Sequence, residues 1–354
     1  MLWWLVFGAW VVLMAVYTCQ WISLGKQASL QPTCEEAPPV TVVVAMRNEE
    51  KHAETLVRNV LGQTYRQLQL IVVDDASDDR TAAILQPYAD AGRLLLLRAK
   101  GEGKKKALAQ GVLAATTEYV LFTDADCQLS ERWAETHVAC LQQHRAALSV
   151  GLVKTLGGSK LERIEAMSLQ AVTAGSVRCG HGVMCSGANL AVRRSVYLDC
   201  MSELQAQTAS GDDMFLLSAV KRRKARVVFV PNRHGIVTTG AAGGLWAFVG
   251  QRARWVGKAR YYTDFDTVAV ACLTLLVQVL LLAALAFATT RPQWLWAWPI
   301  CLAADFPLLW LTARHLDQTA DMRVYPLAFV LYPFYVVFIL IRSILPVQWK
   351  QRTL

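Results

Sequence analysis

Two groups of aspartates follow apolar segments of the sequence and could bind a hard metal ion. One apolar run leads into Asp74 and Asp75, and a second leads into Asp124 and Asp126. Clustered carboxylates repel one another unless a cation neutralises them, and purely oxygen ligands select an ion such as Mg²⁺ or Mn²⁺. The occupant that fits both groups is a divalent ion that bridges a diphosphate.

Aspartates behind a strand also cap helices, and this alternative stays open for the first group. Ser77, Asp78 and Asp79 stand before a helical stretch, where their side chains can accept its first N–H groups. A calcium-binding loop is excluded, because Arg80 stands where such a loop requires glycine and Gln86 where it requires an acid.

The residues between Val40 and about Phe229 alternate short apolar runs with helical stretches, which is the pattern of a mainly parallel sheet covered by helices. The predicted strands are Val40–Ala45, Leu70–Val73, Leu94–Leu97, Tyr119–Thr123 and Val227–Val230. The predicted helices are Glu50–Leu61, Asp78–Tyr88, Lys104–Ala115 and Glu131–Gln143. Because ligands bind beyond the carboxyl ends of the strands in such sheets, we expect both aspartate groups at one edge.

The composition indicates a protein with both a polar folded region and membrane segments. Of 354 residues, 54% are hydrophobic and 18% charged, and the mean hydropathy is +0.30, which excludes intrinsic disorder and a secreted disulfide scaffold. The apolar residues are concentrated in four long runs, Leu2–Leu24, Val268–Thr290, Trp294–Ala313 and Tyr325–Leu345. The first three predict membrane helices, and the fourth predicts either a span or a re-entrant segment.

Charge and cysteine usage bear on the orientation of these segments. The net charge of +9 fits apposition to an anionic cytoplasmic leaflet as well as it fits nucleic acid. Lys26 and the basic region behind the first span favour an outside N-terminus and a cytoplasmic central region. Nine cysteines without a CxxC spacing indicate reduced thiols, and Cys179, His181 and Cys185 lack the fourth ligand of a zinc site.

Six short motifs, taken in order, resemble those of the family 2 glycosyltransferases, in particular the membrane-anchored bacterial members related to ceramide glucosyltransferase and the cellulose and hyaluronan synthases. They are Val43–Glu50, Val72–Asp79, Gly103–Leu108, Thr123–Asp126, Ser210–Asp213 and Gln251–Trp255. The resemblance covers about 40–255 and is specific as an ordered set. It implies a GT-A-like, mainly parallel nucleotide-binding sheet with N-terminal and C-terminal transmembrane helices.

The same resemblance implies a pocket for the nucleotide part of a nucleotide-sugar donor. Asp75, with Ala45, Arg47 and Glu49 nearby, matches the residues that line the base and ribose pocket. Lys104 matches a residue that helps to hold the nucleotide side of the site.

Further residues match the parts of the family site that hold the diphosphate. Asp124 and Asp126 match the Asp-x-Asp that positions the sugar and holds Mg²⁺ or Mn²⁺ on the diphosphate, where the metal charge stabilises the departing nucleotide. Gln251 and Arg254 match diphosphate-side residues, and Trp255 can stack on an acceptor. Taken alone, the Gln251–Trp255 pattern is also typical of an interfacial membrane anchor.

The segment Ser210–Asp213 stands where the family has its general base. Asp213 is the predicted base, with Asp212 as the alternative, and a helix N-cap is the structural alternative for either acid. This carboxylate would take the proton of an acceptor hydroxyl as the oxygen attacks the anomeric carbon from the face opposite the diphosphate, and this attack inverts the configuration at the sugar. Gly187 and Asn189 resemble the acceptor-side stretch of the family.

The sequence therefore predicts an inverting, metal-dependent glycosyltransferase with a UDP-sugar as the expected donor and a membrane-presented lipid or glycan as the acceptor. The alternative is a processive polysaccharide synthase. A nucleotidyltransferase and a noncatalytic membrane-tethered protein fit less well, and nucleic acid is not an expected partner. The expected location is the inner (plasma) membrane, with several spans and a cytoplasmic catalytic domain. The predicted domains are an anchor at 1–25, a GT-A domain at 38–244, an amphipathic interface helix at 245–263, a membrane region of two or three helices at 264–345 and a basic tail at 346–354.

Overall fold

The computed structural model describes residues 2–24, 37–101, 103–204 and 211–345, together with the backbone of 348–349 and 352–353. Lys26, Cys34, Ser210 and most of the predicted tail lie outside the described residues. The strands are β1 Val40–Met46, β2 Leu68–Asp74, β3 Leu95–Arg98, β4 Tyr119–Phe122, β5 Gln128–Leu129, β6 Leu148–Val150, β7 Val153–Leu156, β8 Leu190–Arg193, β9 Val227–Phe229, β10 Val237–Gly240, β11 Gln348–Trp349 and β12 Arg352–Thr353. The helices are α1 Leu2–Leu24, α2 Ala53–Leu61, α3 Thr81–Asp90, α4 Lys104–Ala114, α5 Trp133–Gln143, α6 Lys160–Arg178, α7 Arg194–Leu204, α8 Asp212–Arg222, α9 Leu245–Val256, α10 Phe265–Ala286, α11 Ala297–His315 and α12 Tyr325–Ser343.

The chain divides into two compact units. The sheet unit comprises Lys26–Lys154 and Met184–Thr239, and the helical unit comprises Met1–Gly25, Thr155–Val183 and Gly240–Leu354. The segment that carries α6 lies inside the predicted domain 38–244 but groups with the terminal helices. The predicted domain boundaries stay a prediction.

The main sheet of the sheet unit has seven strands in the order β3-β2-β1-β4-β8-β6-β9. All of its strands run in one direction except β8, which is antiparallel to both of its neighbours. Valines dominate β1, and nearly all of its side chains are buried, as expected for a central strand covered on both faces. Helix α4 lies directly against β1, because a Cβ on Gly111 would stand 2.4 Å from Val43 Cγ1.

The five strands predicted from apolar runs are all present, within one or two residues of their predicted bounds. The predicted helices are also present, although α2 and α3 begin three residues later than expected. Asp79 explains the later start of α3, since its side chain accepts hydrogen bonds from the backbone N–H of Thr81 (2.8 Å) and of Glu50 (3.1 Å). The predicted capping role is thus confirmed for Asp79.

The helical unit contains four segments long and apolar enough to cross a membrane, Trp3–Ser23, Phe265–Ala286, Pro292–His315 and Thr319–Ser343. Most side chains in these segments are not buried within the protein, as expected for surfaces that face lipid. The fourth contains α12, which continues through Pro333 without a break.

Polar and close contacts hold the apolar helices of this unit together. Trp10 on α1 donates its indole N–H to Asp305 on α11 at 2.8 Å, which satisfies an acid within an apolar segment. Helix α1 also packs closely against α6, because a Cβ on Gly175 would stand 2.6 Å from Tyr17 Cβ. Small residues at such crossings let helix backbones approach.

Candidate active site

The sheet brings the predicted donor residues to one edge. Strands β1, β2 and β4 run in parallel, so the residues that follow their carboxyl ends lie side by side. Strand β8 runs in the opposite direction, so the residues before its first residue lie at this same edge. The antiparallel strand therefore places the Gly187–Asn189 segment next to the loops that carry the aspartates.

The loops behind β1 and β2 are joined around Asp75. Its backbone N–H donates to Met46 O at 2.7 Å, and Arg47 Nη1 donates to Asp75 O at 3.3 Å. The buried carboxylate of Asp75 accepts the N–H of Gly103 at 2.9 Å, immediately before α4. Asp75 and Arg47 are thus brought together as predicted, and Asp75 also fixes the loop that begins α4.

The other residues predicted for the nucleotide pocket lie beside them. Ala45 is within β1 and pairs with Val73 of β2. Glu49 follows β1 and donates its backbone N–H to Thr81 Oγ1 at 2.8 Å.

Lys104 is the first residue of α4, and its ammonium group donates a hydrogen bond to Asp124 Oδ1. Three consecutive lysines occupy the first turn of α4, where the helix dipole disfavours cations. Burial alone would lower the pKa of Lys104, but the charges of Asp124, Asp212 and Asp213 outweigh it and raise the pKa above its ordinary value. We call these four residues the Lys104 cluster. The lysine is therefore held charged by acids and not by its position in the helix.

Asp126 lies two residues beyond Asp124 and supplies the second carboxylate of the Asp-x-Asp pattern. Its Oδ2 accepts a hydrogen bond from Thr239 Oγ1 at 3.2 Å, and Cys127 Sγ lies 3.8 Å from its Oδ1. Within the described residues there is no group of three or more His, Cys, Asp or Glu side chains that could hold a metal. Two carboxylates nevertheless fit Mg²⁺ or Mn²⁺, because such ions are commonly held by one or two carboxylates and by the phosphates of the substrate.

Asp212 and Asp213 form the first turn of α8, behind Gly211 in a left-handed conformation (φ 93°) that favours glycine. The N-cap residue is Gly211, so neither acid is the N-cap. Asp213 accepts hydrogen bonds from two backbone N–H groups, those of Gly187 at 2.9 Å and Met214 at 2.8 Å. Both oxygens of its carboxylate are therefore fixed in orientation.

Asp212 differs from Asp213 in its surroundings. Burial raises the pKa of the Asp212 carboxyl, and the charges of Asp213 and Asp124 raise it further, although Lys104 opposes them. A small cavity of about 10 Å³ adjoins both acids and Gly187, with room for about one water molecule. The rest of its lining is Leu108, Phe122, Leu190, Tyr197 and Leu216.

Asn189 requires a correction. Its side chain is fully buried, and its amide N–H groups donate to Leu152 O at 2.7 Å and Gly235 O at 2.8 Å. Its oxygen lies 2.9 Å from the indole nitrogen of Trp133 and 2.8 Å from His137 Nε2. All of its hydrogen-bonding capacity is used within the protein, so it has none for an acceptor. Asn189 instead anchors the turn that presents the Gly187 N–H.

His137 completes this buried polar group. Its Nδ1 lies 2.8 Å from Ser149 Oγ, and the side chain is fully buried. Burial lowers the pKa of His137 to about 4, more than the hydrogen bond with Asn189 raises it. The imidazole is therefore neutral at physiological pH and serves as a hydrogen-bonding core residue. No local sequence signal marked it, because its partners come from distant segments.

The Gln251–Trp255 motif lies on α9 of the helical unit. Gln251 and Arg254 are half-buried, and Trp255 is 40% exposed. Arg252, the second residue of the motif, is buried and forms an ion pair with Glu165 of α6 at 2.6 Å. The motif indicated no role for Arg252, because its charged partner is 87 residues away in the sequence.

Comparison with known proteins shows similarity to glycosyltransferases. Residues 41–200 match the sequence profile described as glycosyl transferase family 2. A Bacillus subtilis protein, which carries the name putative glycosyltransferase EpsE, is 32% identical over 117 residues. This match is 32% of this chain and 42% of EpsE. Poly-beta-1,6-N-acetyl-D-glucosamine synthase of Staphylococcus aureus is 30% identical over 105 residues, which is 29% of this chain and 25% of that protein. The matches thus span less than half the length of these curated relatives.

A solved structure extends the likeness to most of the chain. The mannosyltransferase PcManGT of Pyrobaculum calidifontis, crystallised with GDP-Man and Mn²⁺, superposes with a TM-score of 0.51 at 18% sequence identity. The match covers 94% of this chain and 99% of that one. At this identity the likeness concerns the fold, and it confirms the predicted GT-A-like architecture. Residues 41–200 of this chain are therefore similar to glycosyl transferase family 2.

Proposed function

We propose that the protein is an inverting glycosyltransferase that moves a sugar from a nucleoside diphosphate to a hydroxyl group of an acceptor at the membrane. The observation that carries this proposal is the Lys104 cluster. It places a charged lysine among three carboxylates at the ligand-binding edge of a parallel sheet. A diphosphate can pair with the ammonium group of the lysine, and an acceptor hydroxyl group can donate a hydrogen bond to one of the carboxylates.

Binding of the donor is assigned to the loops behind β1, β2 and β4. Asp75 and Arg47 would hold the nucleoside. The ammonium group of Lys104 would contact the phosphates, which would compete with Asp124 for its hydrogen bonds. Asp126, with Asp124, would hold Mg²⁺ or Mn²⁺. When bound, such an ion neutralises charge on the departing diphosphate.

The acid pair is assigned to the acceptor. Asp213 is the proposed base, because two backbone N–H groups hold its carboxylate in one orientation. As the acceptor oxygen forms its bond to the anomeric carbon, the bond from that carbon to the phosphate oxygen breaks, and the acceptor proton passes to the carboxylate. The diphosphate leaves with the electron pair, and the configuration at the sugar inverts. The raised pKa of Asp212 keeps that residue as the alternative base.

The helical unit supports an acceptor presented at a membrane. Four of its segments are long and apolar enough to cross a bilayer, and Leu245 and Trp246 at the start of α9 are 69% and 74% exposed. Exposed tryptophan beside apolar spans is typical of a membrane interface. We place the protein in the plasma membrane, with the sheet unit in the cytoplasm and a lipid as the preferred acceptor. A processive polysaccharide synthase is the second candidate, supported by the relative that is named as such.

The test is release of nucleoside diphosphate by the full chain purified in detergent, with Mn²⁺ and a panel of UDP- and GDP-sugars, with and without a bacterial lipid extract. Release from one donor that rises with lipid, with radiolabelled sugar recovered in organic solvent, is the expected result. Lipid-independent turnover to a high-molecular-mass labelled product would favour the polysaccharide synthase. Absence of turnover with every donor and acceptor would contradict glycosyl transfer.

The metal assignment is tested by Asp126→Ala. Removing one of two carboxylate ligands should weaken Mn²⁺-dependent binding of UDP or GDP by at least about 10-fold, since even loss of a residue that supports a ligand costs that much. Isothermal titration with and without Mn²⁺ measures the effect. Asp90→Ala, at an exposed carboxylate at the end of α3, is the control. Unchanged Mn²⁺-dependent affinity in Asp126→Ala would refute the assignment.

A further inference from the structure

Arg252 lies inside the Gln251–Trp255 motif, but its side chain points into the helical unit. Its guanidinium group holds Glu165 of α6 through two donors, with Nε 2.9 Å from Glu165 Oε1 and Nη2 2.6 Å from Oε2. Only 8% of the Arg252 side chain and 11% of the Glu165 side chain are exposed. Such a paired, two-donor contact fixes the plane of the guanidinium group.

The same guanidinium group contacts two residues predicted to act in glycosyl transfer. Its remaining terminal nitrogen, Nη1, donates to Gln251 Oε1 at 2.5 Å. Its central carbon lies 4.3 Å from the centre of the Trp255 ring. Arg252 therefore determines where the Gln251 amide and the Trp255 ring lie on the surface of α9.

Two aromatic side chains support the arginine and its partner. Tyr335 of α12 donates its hydroxyl to Glu165 Oε1 at 3.1 Å, and its ring stacks on Phe248 with 5.8 Å between centroids. Phe248 lies under the Arg252 guanidinium at 4.7 Å. We call Arg252, Glu165, Gln251, Trp255 and Tyr335 the Arg252 cluster. It joins side chains of α6, α9 and α12.

We propose that Arg252 is a positioning residue for glycosyl transfer, which holds Gln251 and Trp255 in their working orientation and is itself held by Glu165 and Tyr335. The inference rests on the proposed function, because only that function gives Gln251 and Trp255 a role. Arg252, on the interior side of α9, would thus determine the orientation of side chains on the outer side of the same helix.

Lysine cannot replace arginine in this role. A lysine ammonium can pair with Glu165, but it lacks the planar fork that reaches Glu165 and Gln251 at once and the flat face that stacks on Trp255. Arg252→Lys thus retains the charge of the cluster and removes its directional contacts.

The helical unit offers a matched control. Arg163 of α6 forms an equally directional pair with Asp321, at 2.7 Å from Nε and 2.6 Å from Nη2, and it is largely buried. In the part of the chain that the structure describes, its side chain donates hydrogen bonds to Asp321, Gly157 O and Gly158 O, none of which belongs to a residue predicted to act in transfer. Arg163→Lys therefore reproduces the structural cost of replacing a buried arginine, without the contacts to Gln251 and Trp255.

The first experiment measures transfer by the full chain in detergent, with kcat normalised to the number of nucleotide-binding sites, so that misfolded protein does not contribute. Arg252→Lys is expected to lower kcat by about 10- to 100-fold, as expected for misplaced groups. The affinity for nucleotide and Mn²⁺ should change less than kcat does, because most of the proposed nucleotide residues are in the sheet unit and, of the two on α9, Arg252 contacts Gln251. Arg163→Lys should retain wild-type kcat. Equal kcat values in the two variants would overturn the proposal.

The second experiment does not depend on activity. The protein is labelled with 5-fluorotryptophan, and the ¹⁹F resonance of Trp255 is assigned by its loss in Trp255→Phe. Arg252→Lys should shift that resonance and Arg163→Lys should not, because only Arg252 lies over the ring. An unshifted resonance in Arg252→Lys would overturn the proposal. If the wild-type protein transfers no sugar to any acceptor, the proposed function fails, while the resonance still tests the contact.

Discussion

The Lys104 cluster of the sheet unit is partly exposed and the Arg252 cluster of the helical unit is centred on a buried ion pair, and the two clusters balance charge differently. In the first, the charge of Lys104 is opposed by Asp124, Asp212 and Asp213. In the second, Arg252 meets the single carboxylate of Glu165, which Tyr335 also contacts. An excess of negative charge destabilises the folded chain until a cation or a proton neutralises it. A balanced buried pair is instead strongly destabilising when one of its two partners is removed.

This difference separates a site that awaits a ligand from a contact that is complete in the folded chain. Burial raises the pKa of Asp212, and the charges of Asp213 and Asp124 raise it further although Lys104 opposes them, so its ionised form is disfavoured. For Arg252, burial alone would lower the pKa, but Glu165 outweighs it and raises the pKa above its ordinary value. The two clusters should therefore respond in opposite ways to removal of one acid.

The largest effect is expected for chemistry at the Lys104 cluster. Asp213→Asn removes the proposed base and should lower kcat by roughly 10²- to 10⁴-fold. Nucleotide affinity should stay near that of the wild type, because the Asp213 side chain contacts the N–H groups of Gly187 and Met214. Nucleoside diphosphate release and isothermal titration measure the two quantities.

Asp212→Asn is the companion variant for that measurement. Wild-type turnover in Asp213→Asn together with a large loss in Asp212→Asn would move the role of base to Asp212. Wild-type turnover in both variants would show that neither acid takes part in the chemistry. The proposed functional difference between the two clusters would then be wrong.

A smaller but still large effect is expected on breaking the balanced pair. Glu165→Ala leaves Arg252 buried without its carboxylate and should cost about 3–5 kcal/mol of stability. Thermal unfolding of the detergent-solubilised chain measures the loss. The double variant Glu165→Leu with Arg252→Met removes both charges and should regain most of that stability. A single variant as stable as the wild type would show that the pair is not balanced as described.

The smallest effect, of opposite sign, is expected for Asp212→Asn without nucleotide or metal. Because the folded-state pKa of Asp212 lies above the ordinary value of 3.8, the folded chain binds this proton more tightly than the unfolded chain. The resulting stability is present below that ordinary value and is lost as the pH rises through the raised folded-state pKa. At neutral pH, Asp212→Asn should therefore raise Tm by up to about 2–4 °C, the shift given by ~1 kcal/mol.

The pH dependence provides the check on that prediction. The Tm difference between Asp212→Asn and the wild type should shrink as the pH is lowered through the raised folded-state pKa of Asp212, because the wild-type carboxyl then becomes protonated too. Asp90→Asn, at an exposed carboxylate, should show no such trend. A lower Tm for Asp212→Asn at neutral pH would contradict the excess of negative charge in the Lys104 cluster.

The sequence was sufficient to locate the sheet edge and its acids. Strands β1, β2 and β4 are mainly apolar runs, and aspartates stand at or just after the ends of β2 and β4, so local patterns locate both the edge and the acids. The short strand β8 carries no such pattern, and only its antiparallel pairing with β4 brings Gly187 to the same edge.

Asn189 and Arg252 show why the rest could not be predicted. The roles of both depend on side chains that are distant in the sequence, at separations of 37–56 residues for Asn189 and 87 residues for Arg252. A polar residue in a family motif gives no local sign of whether it faces a ligand or the protein interior. For Asn189 the interior hydrogen bonds decide, and for Arg252 the pair with Glu165 decides.

The contact between Tyr335 and Glu165 also bears on how the protein is made. These two residues are 170 positions apart, so the ribosome must synthesise more than half of α12 before the hydroxyl can reach the carboxylate. Until then α9 lacks its contacts with α12, and closing so long a loop is slow. A chain truncated before Tyr335 would therefore contain α9 but would lack the contact between Tyr335 and Glu165. Maturation of the motif is in this way coupled to synthesis of the last long apolar helix.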